Sequence, residues 1–178
     1  EDLMAGLSGK DVVFEGMGSD DIMVVVDDPN LDLDWANNWK KILDTNLDTT
    51  LDESNTYDGG QGADIMAAGN GNDTYIVDNV NDIVYETKNG GLGDKIKASI
   101  SITLTDNIEN LELTGTTNLN ATGNDQDNKI VGNNGNNLIN ASLGNDTING
   151  GAGIDTVNYS KSNKNMEIDL KTGKSNGL

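Results

Sequence analysis

GNDQDNKIVGNNGNNLINASLGNDTINGGAGIDTVN, residues 123–158, is one nine-residue unit written four times. Cut after 131, 140 and 149 it reads GNDQDNKIV, GNNGNNLIN, ASLGNDTIN and GGAGIDTVN, each an imperfect G-G-x-G-x-D-x-U-x in which U is apolar. A short fixed period marks a repeat architecture, because a single unit cannot bury its own apolar face and must stack on its neighbours. The frame recurs at 59–67 (GGQGADIMA), 68–76 (AGNGNDTYI) and, weakened, 77–85 (VDNVNDIVY). Near the start it covers 6–14 (GLSGKDVVF) and 15–23 (EGMGSDDIM), with 1–5 (EDLMA) closing an earlier unit. Position eight is Met4, Val13, Ile22, Met66, Tyr75, Val84, Ile130, Ile139, Ile148 and Val157, apolar or aromatic every time. Loops that were merely rich in Gly and Asp would not keep that column.

The pattern carries a geometry. Gly supplies the tight turns, and the closing x-U-x triplet is a short strand that sends one side chain inward. Two units make a coil of turn, strand, turn, strand, and stacked coils form two parallel sheets around a column of U residues. The expected fold is all-β, a right-handed parallel β-roll or β-helix solenoid. Position six of one unit then lies on the same edge as position six two units later, and carboxylates held that close repel unless a cation sits between them. Calcium suits the gap: it accepts six to eight oxygens at about 2.3–2.6 Å, backbone carbonyls included, where magnesium demands a stricter octahedron.

Composition narrows the function classes. The 178 residues carry 30 acids against 11 basic residues, all Lys, for a formal charge of −19. A nucleic-acid surface, which must be positive, is excluded on that balance. There is no His and no Cys, which removes the usual zinc sites, His and Cys nucleophiles and disulfide frameworks. With 34% hydrophobic and 4% aromatic residues and a mean hydropathy of −0.51, material for a thick core is scarce, so the metal-free chain is expected to be marginal. No apolar run reaches the roughly 18 residues of a membrane span. The chain opens at Glu1 without a signal peptide or initiator Met, and it is read as a segment of a longer polypeptide.

GGQGADIM (59–66), GNGNDTYIVDNVNDIVYE (69–86), SITLTDNIENLELTGT (101–116) and GNDTINGGAGIDTV (144–157) resemble the RTX, or haemolysin-type calcium-binding, repeats of bacterial proteins exported by type I secretion. The likeness spans most of residues 59–160. It is specific for calcium and the β-roll but not for the parent's activity, since RTX tracts occur in proteases, lipases, toxins, adhesins and surface-layer proteins. The resemblance implies that one calcium takes the carbonyls of positions two and four plus the Asp of one turn, and the carbonyls of positions one and three plus the Asp of the turn two units on.

Carried onto this chain, the resemblance sets Gly60, Gly62 and Asp64 against Val77, Asn79 and Asp82. It sets Asn133, Gly135 and Asn137 against Gly150, Ala152 and Asp155, and Asn124, Gln126 and Asn128 against Ala141, Leu143 and Asp146. Asn128 and Asn137 replace an anionic ligand with a neutral one, so these sites are expected to bind weakly or to hold no ion, with amides hydrogen-bonding along the stack. If residues 24–58, which break the frame, are looped out, Leu7, Gly9 and Asp11 face Gly59, Gln61 and Asp64. Gly16, Gly18 and Asp20 then face Ala68, Asn70 and Asp73, and Asp2 meets Glu15, Met17 and Asp20.

The expected organisation is N-terminal repeats at 1–25, an insertion at 26–58, repeats at 59–85, longer β rungs at 86–122, repeats at 123–158 and a C-terminal strand cap at 159–178. The insertion holds the only Pro and both Trp residues; Asp34 as N-cap with Trp35, Trp39, Ile42 and Leu43 at helical spacing predicts one short amphipathic helix covering the roll. Asp28, Asn30 and Asp32, like Asp44, Asn46 and Asp48, begin as EF-hand loops do but lack the Gly and Glu that complete one. Along 94–122, Ile96, Ala98, Ile100, Ile102 and Leu104, then Ile108, Leu111 and Leu113, alternate as strands that prolong the stack; Met166, Ile168 and Leu170 do the same at the end.

The function expected is a calcium-binding module that folds after secretion and serves a structural role in a larger extracellular or cell-surface protein. Four to six ions would offset roughly 8 to 12 charges at the edges where repulsion is worst. Its partners are calcium, the rest of the parent chain and, in a lattice, copies of itself. One alternative is a lattice-forming segment of a surface-layer protein or adhesin; another is the accessory tail of a secreted protease or lipase. Catalysis within the segment is not expected: there is no His and no Gly-x-Ser-x-Gly, and the repeat already accounts for the Asp positions that a paired-carboxylate mechanism would need.

Overall fold

The computed structural model describes residues 10–14, 23–27, 54–68, 70–88, 90–161 and 167–169. They form strands and turns, with no helix among the described residues. The expected helix falls on residues 28–53, which lie outside them. The chain divides into two compact units, Glu1–Leu92 and Gly93–Leu178.

The first unit contains β1 (Lys10–Phe14), β2 (Met23–Asp27), β3 (Thr56–Asp58), β4 (Ile65–Ala68), β5 (Thr74–Val77) and β6 (Ile83–Glu86). From β3 onward, alternate strands stack in parallel one 18-residue coil apart, with Tyr57 beside Tyr75 and Met66 beside Val84. These four side chains are buried, as the eighth-position column requires. The Tyr57 and Tyr75 rings stack with centroids 5.3 Å apart, and the Tyr75 hydroxyl donates to buried Glu86 at 2.6 Å. β3 belongs to the frame although it precedes residue 59: Tyr57 is a position-eight residue, so the coil reaches into the stretch assigned to the insertion.

At the N terminus the arrangement departs from the expected parallel rungs. β1 and β2 pair antiparallel, Lys10 opposite Asp27 and Phe14 opposite Met23, and β2 pairs antiparallel with β4. Asp11 lies in β1, the strand bonded to β2. The physical reason is the run of three β-branched residues, Val24, Val25 and Val26, which carries the second strand beyond the frame to a length of five residues. Two such strands joined by a short connection can pair directly as antiparallel neighbours, whereas parallel pairing needs a long crossover.

The second unit contains β7 (Lys95–Ala98), β8 (Ile102–Thr103), β9 (Asn110–Leu113), β10 (Asn120–Thr122), β11 (Lys129–Val131), β12 (Leu138–Asn140), β13 (Thr147–Asn149), β14 (Thr156–Asn158) and β15 (Glu167–Asp169). Odd-numbered strands form one sheet and even-numbered strands the other, and every pairing is parallel. One inward column runs Ile96, Leu111, Ile130, Ile148 and Ile168, each opposite the next; the other runs Ile102, Ala121, Ile139 and Val157. Ile96, Leu111, Ile130, Ile139 and Ile148 are buried, and Ile168 on the last rung is 38% exposed. Strands of three residues have almost no cooperative length of their own, so the column and the coil-to-coil ladder hold them. The ladder continues through position six: Thr147 N–H donates to the Asn128 carbonyl at 2.7 Å and Thr156 N–H to that of Asn137 at 2.8 Å. Strands of the stretch 94–122 thus stack in parallel with those of the repeats that follow.

Candidate calcium sites

Position six is where the coils meet edge to edge. In each pair described, the side-chain oxygen of the later residue accepts the backbone N–H of the residue one coil earlier. Asp73 accepts from Asn55 at 2.8 Å, Asp82 from Asp64 at 3.1 Å, Asp146 from Asn128 at 3.0 Å and Asp155 from Asn137 at 2.9 Å. The stacking of position-six residues is therefore real, and it brings Asp64 to Asp82, Asn128 to Asp146 and Asn137 to Asp155. Asn55, in position six of the unit that contains β3, joins the same series.

What the second oxygen does divides the turns into two kinds. In the turn of Gly59 to Asp64, both Asp64 oxygens are buried without a hydrogen-bond partner, and the residue is 1% exposed. The carboxylate lies against the α-carbon of Gly59, where any side chain would collide with it. In the turn of Gly150 to Asp155, Asp155 Oδ2 is again buried and unpartnered and lies against Gly150. Position two of both turns is Gly at positive φ, 78° at Gly60 and 82° at Gly151, a conformation that other residues resist. It turns the N–H outward: Gly60 donates to Asp58 and Gly151 to Asn149.

Where position two is Asn or Asp, the turn closes on itself. Asn124 N–H donates to Asn128 Oδ1, Asn133 N–H to Asn137 Oδ1, both at 2.9 Å, and Asp78 N–H to Asp82 Oδ2 at 3.1 Å. Asn79 N–H adds a third backbone donor to the Asp82 carboxylate at 3.0 Å. In the two Asn turns the amide groups also fill the space toward the coil before. Asn124 Nδ2 donates to the carbonyls of Thr105 and Ile108 at 2.7 and 2.8 Å, and Asn133 Nδ2 to those of Thr114 and Thr117 at 2.9 and 3.0 Å. Asn128 Nδ2 reaches Asn124 Oδ1, and Asn137 Nδ2 reaches Asn133 Oδ1, each at 2.9 Å. The turn at Asp146 is intermediate: position two is Ser142, whose hydroxyl donates to the Gly123 carbonyl at 2.9 Å, and Asp146 Oδ2 is buried and unpartnered.

Electrostatics follows the same division. Burial, then the charges of Asp82, Asp78 and Asp58, pushes the Asp64 carboxyl up to about 6. Asp78 is raised by burial and by Asp82 and Asp58. Asp146 is raised by burial, with the Asn128 N–H pulling it back and Asp127 adding to the rise. Every charge acting on Asp64 is another carboxylate. A buried anion with no donor and like-charged neighbours is costly, and a divalent cation relieves both faults at once. The donor set fits calcium: hard carboxylate oxygens with backbone carbonyls projecting from the coil before, as those of Thr117, Gln126, Asn133 and Gly135 do beneath the turns above them.

Of the other residues expected at these sites, Ala68, Val77 and Ala141 are buried, Asp73 is buried, and Asn70 and Asn79 are half-buried, while Leu143 is exposed. Ala152 N–H donates to the Asn133 carbonyl at 3.1 Å, so the Asn133 and Gly150 turns do meet. Asp2, Leu7, Gly9, Glu15, Gly16, Met17, Gly18 and Asp20 lie outside the described residues.

Coils of glycine turn and three-residue parallel strand, edged by buried carboxylates and carbonyls, define a calcium-binding β-roll. Comparison with protein families matches residues 49–84 and 122–157 to the RTX calcium-binding nonapeptide repeat, in four copies. Those two stretches are RTX repeats, and they make this region a calcium-binding structural module. Comparison with curated proteins and with solved structures gives no match. Among the described residues no helix is long and apolar enough to cross a membrane.

Proposed function

We propose that the chain is the calcium-folded part of a larger bacterial protein, exported unfolded by type I secretion and locked into its coil outside the cell, where it acts as structure and not as a catalyst. The observation that carries this reading is Asp64: a carboxylate 1% exposed, with no hydrogen-bond donor on either oxygen and only other carboxylates among the charges that act on it. Without a cation that arrangement opposes the fold; with one it supports it, and binding confined to the folded state is folding free energy. Extracellular modules bind calcium at about 0.1–1 mM, so such a chain stays open in a cytoplasm poor in calcium and closes outside.

The metal is held at the open turns, at Asp64, and at Asp155 and Asp146 with the carbonyls of the turns at Asn137 and Asn128. The last two sites carry a neutral amide on one side and bind more weakly. The formal charge of −19 adds self-repulsion that each ion reduces. Far-UV circular dichroism during a calcium titration, with magnesium as control, tests the reading. Calcium is expected to raise the β signal and magnesium is not; a full β signal in chelator would overturn it.

A further inference from the structure

We infer that position two of each nonapeptide, and not position six alone, decides whether a turn takes calcium: Gly or Ser leaves the position-six oxygen open to a metal, and Asn or Asp closes it. This rests on the calcium reading above and sharpens it. Asp82 shows the distinction most clearly. It is a position-six Asp like Asp64, yet its carboxylate already accepts three backbone N–H groups, from Asp64, Asp78 and Asn79. Asp64, with Gly60 at position two, accepts none.

Two consequences of an Asn at position two act together. Its backbone N–H turns inward onto the position-six oxygen, a bond absent where positive-φ Gly60 and Gly151 turn theirs outward. Its side-chain NH2 then donates to two carbonyls of the coil before, Thr105 and Ile108 or Thr114 and Thr117. Those carbonyls belong to the oxygen set a cation would use. The Asn pair spaced four residues apart, Asn124 with Asn128 and Asn133 with Asn137, is thus a neutral substitute for an ion, built from two side chains and complete without metal. Position two acts on position six through the turn, so these are positioning residues for the site.

The test is the number of calcium ions bound per full chain, read by titration calorimetry with calcium alone and with magnesium as control. Asn137→Asp is expected to leave the number unchanged, because Asn133 still closes the turn. Asn133→Gly with Asn137→Asp is expected to add one ion. Asn133→Ser with Asn137→Asp, which copies the natural pair Ser142 and Asp146, is expected to do the same and decides the matter if the Gly variant does not fold. An added ion with Asn137→Asp alone, or none with either double variant, overturns the inference while leaving the calcium reading intact. A parent chain that binds no calcium defeats the reading itself.

Discussion

Asp64 ties the protein's stability to pH. Its folded-state carboxyl is raised from 3.8 to about 6, so the folded chain holds this proton more tightly than the unfolded chain does. In chelator this contribution favours folding below about pH 4 and is lost as pH climbs through about 6. A urea midpoint that falls across that window, and a flatter profile in Asp64→Asn, is the expected result. Calcium inverts the dependence, because protons compete for the same oxygens: calcium affinity should drop as pH falls below about 6, measured by titration at fixed ionic strength. The position-six acids are legible in the sequence because they keep phase with the repeat. The closing role of Asn124 and Asn133 is not, although the spacing of four is visible, because an Asn in place of the second Gly reads only as a weakened repeat until the direction of its N–H is known.

Among the elements, the inward column carries the stability. Ile139 is buried between Ala121 and Val157 on neighbouring strands, and Ile139→Ala is expected to cost about 2–5 kcal/mol in urea denaturation at saturating calcium. Ile168, 38% exposed on the last rung, should cost about 1 kcal/mol or less on the same change. The three-residue strands are too short for hydrophobic alternation to reveal them singly; the repeat frame located them, from Met66 to Val157. β3 escaped because its unit has Asn55 where the frame wants Asp and lacks the opening glycines. β1 and β2 depart from the frame because Val24, Val25 and Val26, just past it, favour a longer strand than a nonapeptide supplies.

At the scale of the whole molecule, charge sets the state of the metal-free chain. With −19 on 178 residues and few apolar side chains, self-repulsion and weak burial act in the same direction. Salt near 1 M, where the Debye length is about 3 Å, should compact the chelated chain in small-angle scattering without the gain in β signal that calcium brings, since screening does not supply oxygen ligands. The inward column of the second unit has one more implication. Between successive rungs it takes fifteen residues from Ile96 to Leu111, nineteen to Ile130, eighteen to Ile148 and twenty to Ile168, yet the pairing never slips. The rungs keep their register although the length of chain between them varies, so the scaffold is permissive to grafting: a foreign loop spliced between strands, as at the described corner between Leu113 and Asn120, should be displayed without disturbing the rungs above or below it.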